Sequence, residues 1–192
     1  LHDALPISFS AKGRIKGHEF ANSIIRSRKR LTYRQALAFL EESDFKKIRA
    51  KPLPPKHQTG STGRDLAQVS NAEMKQIQST LKHLWFLADK LRQRRFSQGS
   101  FDLDMPEVKI LVDEDGRADR IESVEYDISH QLIEEFMLAA NEVVARSLRD
   151  GDVPALYRVH DAPDPDKLNE LSEQLSASGI QSGDLSVRKN MV

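Results

Sequence analysis

The amino-acid sequence predicts an α+β fold, in which antiparallel hairpins pack with several amphipathic helices. Glycine turns at Gly13 and Gly116 separate short runs that contain apolar residues, and glycine readily adopts the positive φ that hairpin turns need. Two capping boxes, Thr32 to Gln35 and Ser70 to Glu73, mark helix starts. Apolar residues then recur at helical spacing, most clearly after Ser70.

Length and composition restrict the class of protein. The 192 residues, 39% of them hydrophobic, suit one domain or a piece of a larger one. The chain contains no cysteine, which excludes disulfides and thiolate metal sites and fits the cytoplasmic location that we expect. No secretory signal is visible, and no apolar run is long enough to cross a membrane.

The net charge of zero hides an uneven distribution. Residues 1–100 contain 20 Lys or Arg against 8 Asp or Glu, and residues 101–192 contain 9 against 21. A basic half can follow a phosphate backbone and an acidic half can bind metal ions. Equally, the two halves can simply attract each other within the fold.

The first third of the chain predicts a hairpin, a helix and a loop. Residues 1–8 show no clear pattern, whereas Ile7 to Phe9 and Arg14 to Arg26 flank a turn. The basic run from Arg26 to Arg30 ends before Tyr33, which suits nucleic acid but is also common on solvated surfaces. The following helix is expected to turn Ala36, Leu37 and Leu40 toward the core. Residues 43–69, rich in proline and glycine, are expected to be an exposed loop insertion.

The middle of the chain predicts a long helix and a second hairpin. The helix that begins after Ser70 ends in arginines, which suit its C-terminal dipole and can also contact phosphate. Its apolar positions alternate in steps of four and three: Ile77, Leu81, Leu84, Ala88 and Leu91. Val108 to Val112 and Arg120 to Tyr126 then form the hairpin around an acidic turn.

The helix from about Ile128 to Leu148 has the most informative pattern. Its predicted core stripe contains Ile128, Leu132, Phe136, Ala140 and Val143, widened by Ile133, Met137 and Val144. Glu135 belongs to the predicted solvated face. Glu134 lies on a third strip with Leu138, Asn141 and Ala145, with His130 one turn before it. A carboxylate there is either a structural group with a partner or a functional group that faces a polar cleft.

The last part of the chain predicts a short strand, a helix and a tail. Ala155 to His160 has the strand pattern, and His160 is not a metal site by itself. Asp164 or Asp166 begins a helix that Gly179 ends, and residues 181–192 are expected to be a flexible tail.

Four segments together resemble the RNB catalytic domain of the ribonuclease II and ribonuclease R exonucleases. They occur in that family's order, and the resemblance extends over most of residues 9–180. The segments are Ile25-Arg-Ser-Arg-Lys-Arg-Leu-Thr-Tyr33, Phe101-Asp-Leu-Asp-Met-Pro-Glu107, His130-Gln-Leu-Ile-Glu-Glu-Phe-Met-Leu-Ala-Ala-Asn141 and Leu156-Tyr-Arg-Val-His-Asp-Ala-Pro163.

The resemblance implies a 3′→5′ exoribonuclease that uses Mg²⁺ to release nucleoside 5′-monophosphates from the 3′ end of single-stranded RNA. It places Tyr33 and Glu134 near the terminal ribose, where the 2′-OH distinguishes RNA from DNA, and it implies a catalytic as well as a substrate-binding role for Glu134. Arg30 is expected to contact the RNA. Phe101 or Leu103 is expected to meet a base. A monomeric parent enzyme is expected.

Two family segments have no match in this sequence. Residues 1–25 do not contain the Asp-rich segment that binds the metals, and the later Thr-Ser-Pro-Ile-Arg-Arg segment is also missing. We therefore expect an internal piece of the catalytic domain, with no metal ligands of its own, residues 1–8 as a non-native flank, and no activity alone. The alternative is a non-catalytic RNA-binding or scaffold protein that retains the RNB framework.

Overall fold

The computed structural model describes residues 2–51, 65–100, 102, 108–113, 115–123 and 126–187. Within these residues it confirms the α+β class, with three two-stranded antiparallel sheets and five helices. The chain divides into two compact units. One contains Leu1–Leu91 and Met105–Val143, and the other contains Arg92–Asp104 and Val144–Val192.

Four short strands form the N-terminal part of the first unit. The strands are β1 (His2–Ala4), β2 (Ile7–Phe9), β3 (Ile15–His18) and β4 (Ala21–Ser23). β2 pairs with β3, as the hairpin pattern predicts, and β1 pairs with β4, which the sequence did not indicate. Gly13 has a φ of +70° in the turn, and its amide donates to the Ser10 carbonyl. The expectation that residues 1–8 are a non-native flank stays a prediction.

Helix α1 (Tyr33–Glu41) starts at the predicted capping box. The Thr32 side chain accepts from the Gln35 amide at 3.1 Å, and the Thr32 amide donates to the Gln35 side chain at 2.9 Å. The predicted core face was wrong by part of a turn. Phe39, Ala38 and Gln35 are buried, whereas the predicted core residues are only half-buried, because the helix turns its Gln35 side to the core.

The predicted loop insertion contributes to the hydrophobic core. Helix α2 (Phe45–Arg49) begins at Asp44, whose side chain accepts from the Lys46 amide. The core around Phe39 includes these members of the insertion: Ile48, Leu66 and Val69. The expectation of an exposed loop was therefore wrong for these residues, because an N-cap and an apolar residue three positions after Phe45 suffice for a short helix that buries Ile48.

Helix α3 (Asn71–Ser97) confirms the long amphipathic helix. The Ser70 hydroxyl accepts from the Glu73 amide at 3.2 Å, and Met74 and Ala88 are buried. The side-chain amide of Gln78 donates to the Phe39 and Glu42 carbonyls, at 3.0 and 2.7 Å, and so ties α3 to the end of α1. These bonds satisfy carbonyls that a helix end leaves without an intrahelical partner.

The second predicted hairpin is also present. β5 (Val108–Val112) pairs antiparallel with β6 (Ala118–Ser123), with Ile110 opposite Ile121. Gly116 has a φ of +79° in the turn, where the Asp113 carboxylate accepts from two following amides. Leu111 is buried, whereas Val108, Ile110 and Val112 of the same strand are exposed.

Helix α4 (Ile128–Asp150) confirms the predicted element but not its orientation. Its buried residues are Ser129, Leu132, Glu135, Ala139 and Val143. Glu135 was placed on the solvated face, yet it is only 3% exposed. Ile133, Met137 and Val144 were placed in the core stripe, yet all three are exposed. Both errors have one cause: the apolar residues surround more than half of the helix, so their pattern fits more than one rotation.

Asp127 fixes the first turn of α4. Its Oδ1 accepts from the Ser129 amide at 2.8 Å, the Ser129 hydroxyl at 2.5 Å and His130 Nδ1 at 3.1 Å. Burial acts to raise the pKa of the Asp127 carboxyl, but these bonds from Ser129 and His130 outweigh it. The pKa therefore lies below its ordinary value.

The second unit contains α5 (Pro165–Ala177), which begins at Asp164 as predicted. The predicted strand from Ala155 to His160 was wrong, because no described strand pairs with it, and Leu156 is fully exposed. In the predicted tail, Leu185 is buried and the Ser182 hydroxyl lies 3.2 Å from that of Ser172. Among the described residues, no helix combines the length and hydrophobicity that crossing a membrane requires.

Two methionines test which side of each helix is buried. Met74→Ala is expected to reduce the free energy of unfolding by about 2–5 kcal/mol, because it leaves a cavity in the core. Met137→Ala is the matched control, since Met137 is 59% exposed and its loss is expected to change stability by less than about 0.5 kcal/mol. Urea unfolding followed by circular dichroism measures both. Equal losses would contradict the burial described for α4.

The lowered pKa of Asp127 predicts an acid-dependent loss of stability. Asp127→Asn keeps the shape of the side chain and removes its charge. A lowered folded-state pKa stabilises the fold above the unfolded-state pKa of about 3.9, and this stabilisation is lost as the pH falls through the folded-state value. The wild type is therefore expected to exceed Asp127→Asn in unfolding free energy at neutral pH and to lose that advantage in acid. A difference that is constant with pH would contradict the prediction.

Candidate functional site

Tyr33 is held at the start of α1 with part of its side chain in solvent. It is the first residue after Thr32, so the capping box fixes its backbone, and Gln35 anchors that box in the core at 2% exposure. Tyr33 itself is 46% exposed. The structure therefore places a tyrosine with a fixed backbone at the surface, three positions after the basic run ends at Arg30.

The Tyr33 ring stacks on the ring of His130 from the first turn of α4. The ring centroids are 3.9 Å apart and the planes differ by 19°. The Tyr126 ring contacts His130 more loosely, with centroids 6.0 Å apart and planes that differ by 34°. Two helices distant in sequence, α1 and α4, thus meet through an aromatic contact at their N-terminal ends.

His130 is oriented by the ionised carboxylate of Asp127. Because a carboxylate only accepts, Nδ1 of His130 carries the hydrogen of their 3.1 Å bond. The same carboxylate binds the amide and hydroxyl of Ser129, which is buried. The contacts therefore run without a break from a buried serine to the exposed Tyr33 ring.

Glu134 lies one helical turn after His130, on the same strip of α4. Four residues advance the helix by roughly 6 Å, so the Glu134 backbone lies close to the aromatic cluster. Glu134 is half-buried, and it has interaction partners within the protein. Its neighbour Glu135 is buried and also has partners. The two adjacent glutamates therefore occupy different environments.

The remaining predicted site residues are only partly located. Arg30 is exposed, and it is the last residue of the basic run that precedes Tyr33. Lys29 from the same run donates to the Asp65 carbonyl at 2.5 Å, and so contributes to the fold. Phe101 and Leu103 lie outside the described residues, so the structure does not place the predicted base contact.

The arginines at the end of α3 belong to the second unit and take part in its packing. Arg92 forms an ion pair with Asp102, and its guanidinium lies 4.3 Å from the Phe96 ring centroid. Arg95 lies 5.3 Å from the same ring. This favours the structural interpretation for Arg92, whose charge is already paired.

Sequence reasoning missed the roles of Asp127, Tyr126 and His130. The helical pattern placed His130 on the Glu134 strip but gave no reason to connect it with Tyr33. One local signal was available: an aspartate directly before a helix, with serine two positions later, is typical of an N-cap. The stack itself has no local signal, because it joins residues that only the tertiary fold brings together.

The arrangement suits recognition of a hydroxyl-bearing ligand more than metal binding. A phenol can donate or accept a hydrogen bond, and the carboxylate oxygens of a residue such as Glu134 can accept one from a hydroxyl. In the described part of the chain, no three Asp, Glu or His side chains come together in a way that could hold a metal ion. The described residues alone therefore do not fit a magnesium site.

Comparison with known proteins assigns the family. The RNB domain matches residues 4–191. The chain is 33% identical over 173 residues to ribonuclease R of Aquifex aeolicus, covering 90% of this chain and 21% of that protein. It is 31% identical over 170 residues to ribonuclease R of Thermotoga maritima, covering 88% and 20%. The chain thus spans about a fifth of the length of these relatives.

A solved structure agrees with this assignment. Mycoplasma genitalium RNase R in complex with double-stranded RNA matches with a TM-score of 0.69 at 27% identity, covering 94% of this chain and 28% of that one. The fold and the sequence therefore point to the same relatives. Because the RNB domain match extends over nearly the whole chain, the chain belongs to the RNB domain family of ribonuclease R-like proteins.

Proposed function

We propose that this chain supplies the ribose-recognition part of a 3′→5′ exoribonuclease, which hydrolyses RNA to nucleoside 5′-monophosphates with Mg²⁺. Membership of the RNB family and the ribonuclease R relatives support the activity. The single observation that carries the site is the Tyr33–His130 stack, which brings Tyr33 next to the helix of Glu134. The parent enzyme acts as a monomer in the cytoplasm under this proposal.

Tyr33 and Glu134 have the chemistry that recognition of a terminal ribose requires. The Tyr33 phenol donates to or accepts from a ribose oxygen, and Glu134 accepts from the 2′-OH. DNA lacks this hydroxyl, so a DNA end leaves the carboxylate without that bond. The exposed Arg30 binds phosphate along the single-stranded 3′ end.

Hydrolysis itself requires groups that the described residues do not bring together. Bound magnesium would supply an activated water and stabilisation of the leaving oxygen, and its ligands would come from the Asp-rich segment that this sequence lacks. The roles of this chain are to bind the 3′ nucleotide and to hold its ribose. No step of the chemistry is assigned to Glu135, which is buried.

Ribose discrimination tests the site directly. A single-stranded RNA oligonucleotide is compared with the same oligonucleotide ending in a 2′-deoxynucleotide. The Kd of the deoxy-ended oligonucleotide divided by the Kd of the ribo-ended one is measured on residues 1–192. Tyr33→Phe and Glu134→Gln are each expected to lower the ratio about two- to tenfold, because one hydrogen bond contributes about 0.5–1.5 kcal/mol.

Glu142→Gln is the matched control, because Glu142 is an exposed glutamate of the same helix. Glu135 is a poor control, since its substitution changes a buried group and perturbs the fold. A Kd ratio that is unchanged in both site variants would contradict the proposed ribose contact. A ratio that falls equally in Glu142→Gln would show that the effect is not specific to the site.

Residues 1–192 are expected to bind RNA without hydrolysing it. The reason is that the sequence has neither the Asp-rich segment nor the Thr-Ser-Pro-Ile-Arg-Arg segment of the family. Chromatography of an RNA digest with Mg²⁺ measures the release of nucleoside monophosphates. Release that Mg²⁺ supports and EDTA abolishes would contradict this expectation. A non-catalytic RNA-binding role for the parent would be favoured if the parent protein also fails to release them.

A further inference from the structure

His130 lies between Asp127 and Tyr33, and ribose recognition as described above does not use it. We propose that His130 is a positioning residue: its ring, oriented by Asp127, holds the Tyr33 ring in the orientation that reads the ribose. The inference rests on the proposed role of Tyr33. It adds that the discrimination between RNA and DNA depends on a residue that itself need not touch the RNA.

The backbone of Tyr33 is already fixed, so only the side chain remains to be positioned. The capping box holds Thr32 and Gln35, and Gln35 is buried. The tyrosine side chain still turns about two torsions, and Tyr33 is 46% exposed. The stack on His130, at 3.9 Å and 19°, supplies a restraint on the plane of the ring.

The histidine is in turn held from its other side. Its Nδ1 donates to Asp127, and the backbone amides of His130 and Gln131 donate to the Asp127 carbonyl at 3.0 and 3.1 Å. The same carboxylate binds the buried Ser129 twice. The plane of the imidazole is therefore fixed by a bond as well as by packing, which is what a support for another ring requires.

Tyr126 does not supply the same restraint. Its ring centroid lies 6.0 Å from His130 at a tilt of 34°, and Tyr126 is itself exposed. The contact of Tyr33 with His130 is closer and nearly parallel. Within this cluster His130 is therefore the support of the Tyr33 ring, and Tyr126 is an outer neighbour.

Ribose discrimination needs such a support because RNA and DNA ends differ by one hydroxyl. A hydrogen bond weakens steeply when its distance or angle departs from the favoured range. Recognition groups must accordingly be held to within about 0.5 Å by the residues around them. A Tyr33 ring that turns freely would still bind RNA but would distinguish the two ends poorly.

Three substitutions separate the contribution of the His130 ring from that of its hydrogen-bond donor. His130→Asn keeps a donor near the position of Nδ1 and removes the ring, His130→Phe keeps a ring and removes the donor, and His130→Ala removes both. The Kd ratio for the ribo- and deoxy-ended oligonucleotides is measured on residues 1–192. His130→Ala and His130→Asn are expected to lower it about two- to tenfold, and Tyr33→Ala is expected to lower it by a similar factor. His130→Phe is expected to retain more of it. A ratio that stays at the wild-type value in His130→Ala and His130→Asn overturns the inference.

Two comparisons show that the effect passes through Tyr33. The Tyr33→Ala, His130→Ala double variant is expected to match Tyr33→Ala alone, because a support has no effect once the supported ring is gone. His83→Ala, an exposed histidine on α3, is expected to leave the ratio unchanged. Additive losses in the double variant overturn the positioning role. If Tyr33→Ala itself leaves the ratio unchanged, the proposed ribose contact fails instead.

The position of the ring is also measured without RNA. In the wild type, the ring current of His130 is expected to shift the NMR signals of the Tyr33 ring protons upfield. His130→Phe is expected to keep an upfield shift, and His130→Ala is expected to remove it while circular dichroism shows that the helices remain. Identical Tyr33 signals in the wild type and in His130→Ala overturn the inference even if the isolated chain binds neither oligonucleotide.

Discussion

The carboxylate of Asp127 is the group on which the candidate site depends. One oxygen accepts from the amide and hydroxyl of Ser129 and from the His130 ring. The first two bonds start α4, and the third sets the plane of the imidazole on which Tyr33 stacks. A local capping interaction thereby determines the geometry of a contact between two distant parts of the chain.

Helix α4 has a buried face, a half-buried strip and an exposed apolar side. The two adjacent glutamates lie on the first two of these. Glu135 lies on the buried face with Leu132 and Ala139, where a charge requires a partner. Glu134 lies on the half-buried strip that begins at His130. Substitutions of the two residues should therefore report on different properties, the stability of the fold for Glu135 and the recognition of ligand for Glu134.

The exposed apolar side of α4 is a separate feature. Ile133, Met137 and Val144 are exposed on it, and they are apolar enough to resemble a core face in the sequence. Hydrophobic periodicity reports that a side chain is apolar, but burial also depends on what packs against it. The pattern therefore predicted the helix and its limits but not its rotation.

Helix starts were the most predictable part of the fold. The boxes at Thr32 and Ser70 and the cap at Asp164 each join residues within one helical turn, so the sequence alone contains their geometry. The strand expected from Ala155 to His160 fails because a strand requires a partner, and a strand pattern does not say whether one is present. The buried Ile48 was missed because its helix has a single turn.

The candidate site was predictable in its residues but not in its construction. Resemblance to the RNB family drew attention to Tyr33 and Glu134, and helical geometry placed His130 on the Glu134 strip. Only the tertiary fold shows that Tyr33 rests on His130. Such a contact depends on how α1 and α4 are placed in the folded chain, which neither segment decides alone.

A crystal structure of residues 1–192 bound to a short single-stranded RNA would show the ribose contact itself. We expect the 2′-oxygen of the 3′-terminal ribose to lie within about 3.2 Å of a Glu134 carboxylate oxygen or of the Tyr33 hydroxyl. We also expect Tyr33 to remain stacked on His130 in the complex. A terminal ribose bound away from both residues, or a Tyr33 ring that leaves His130 when RNA binds, would contradict these expectations.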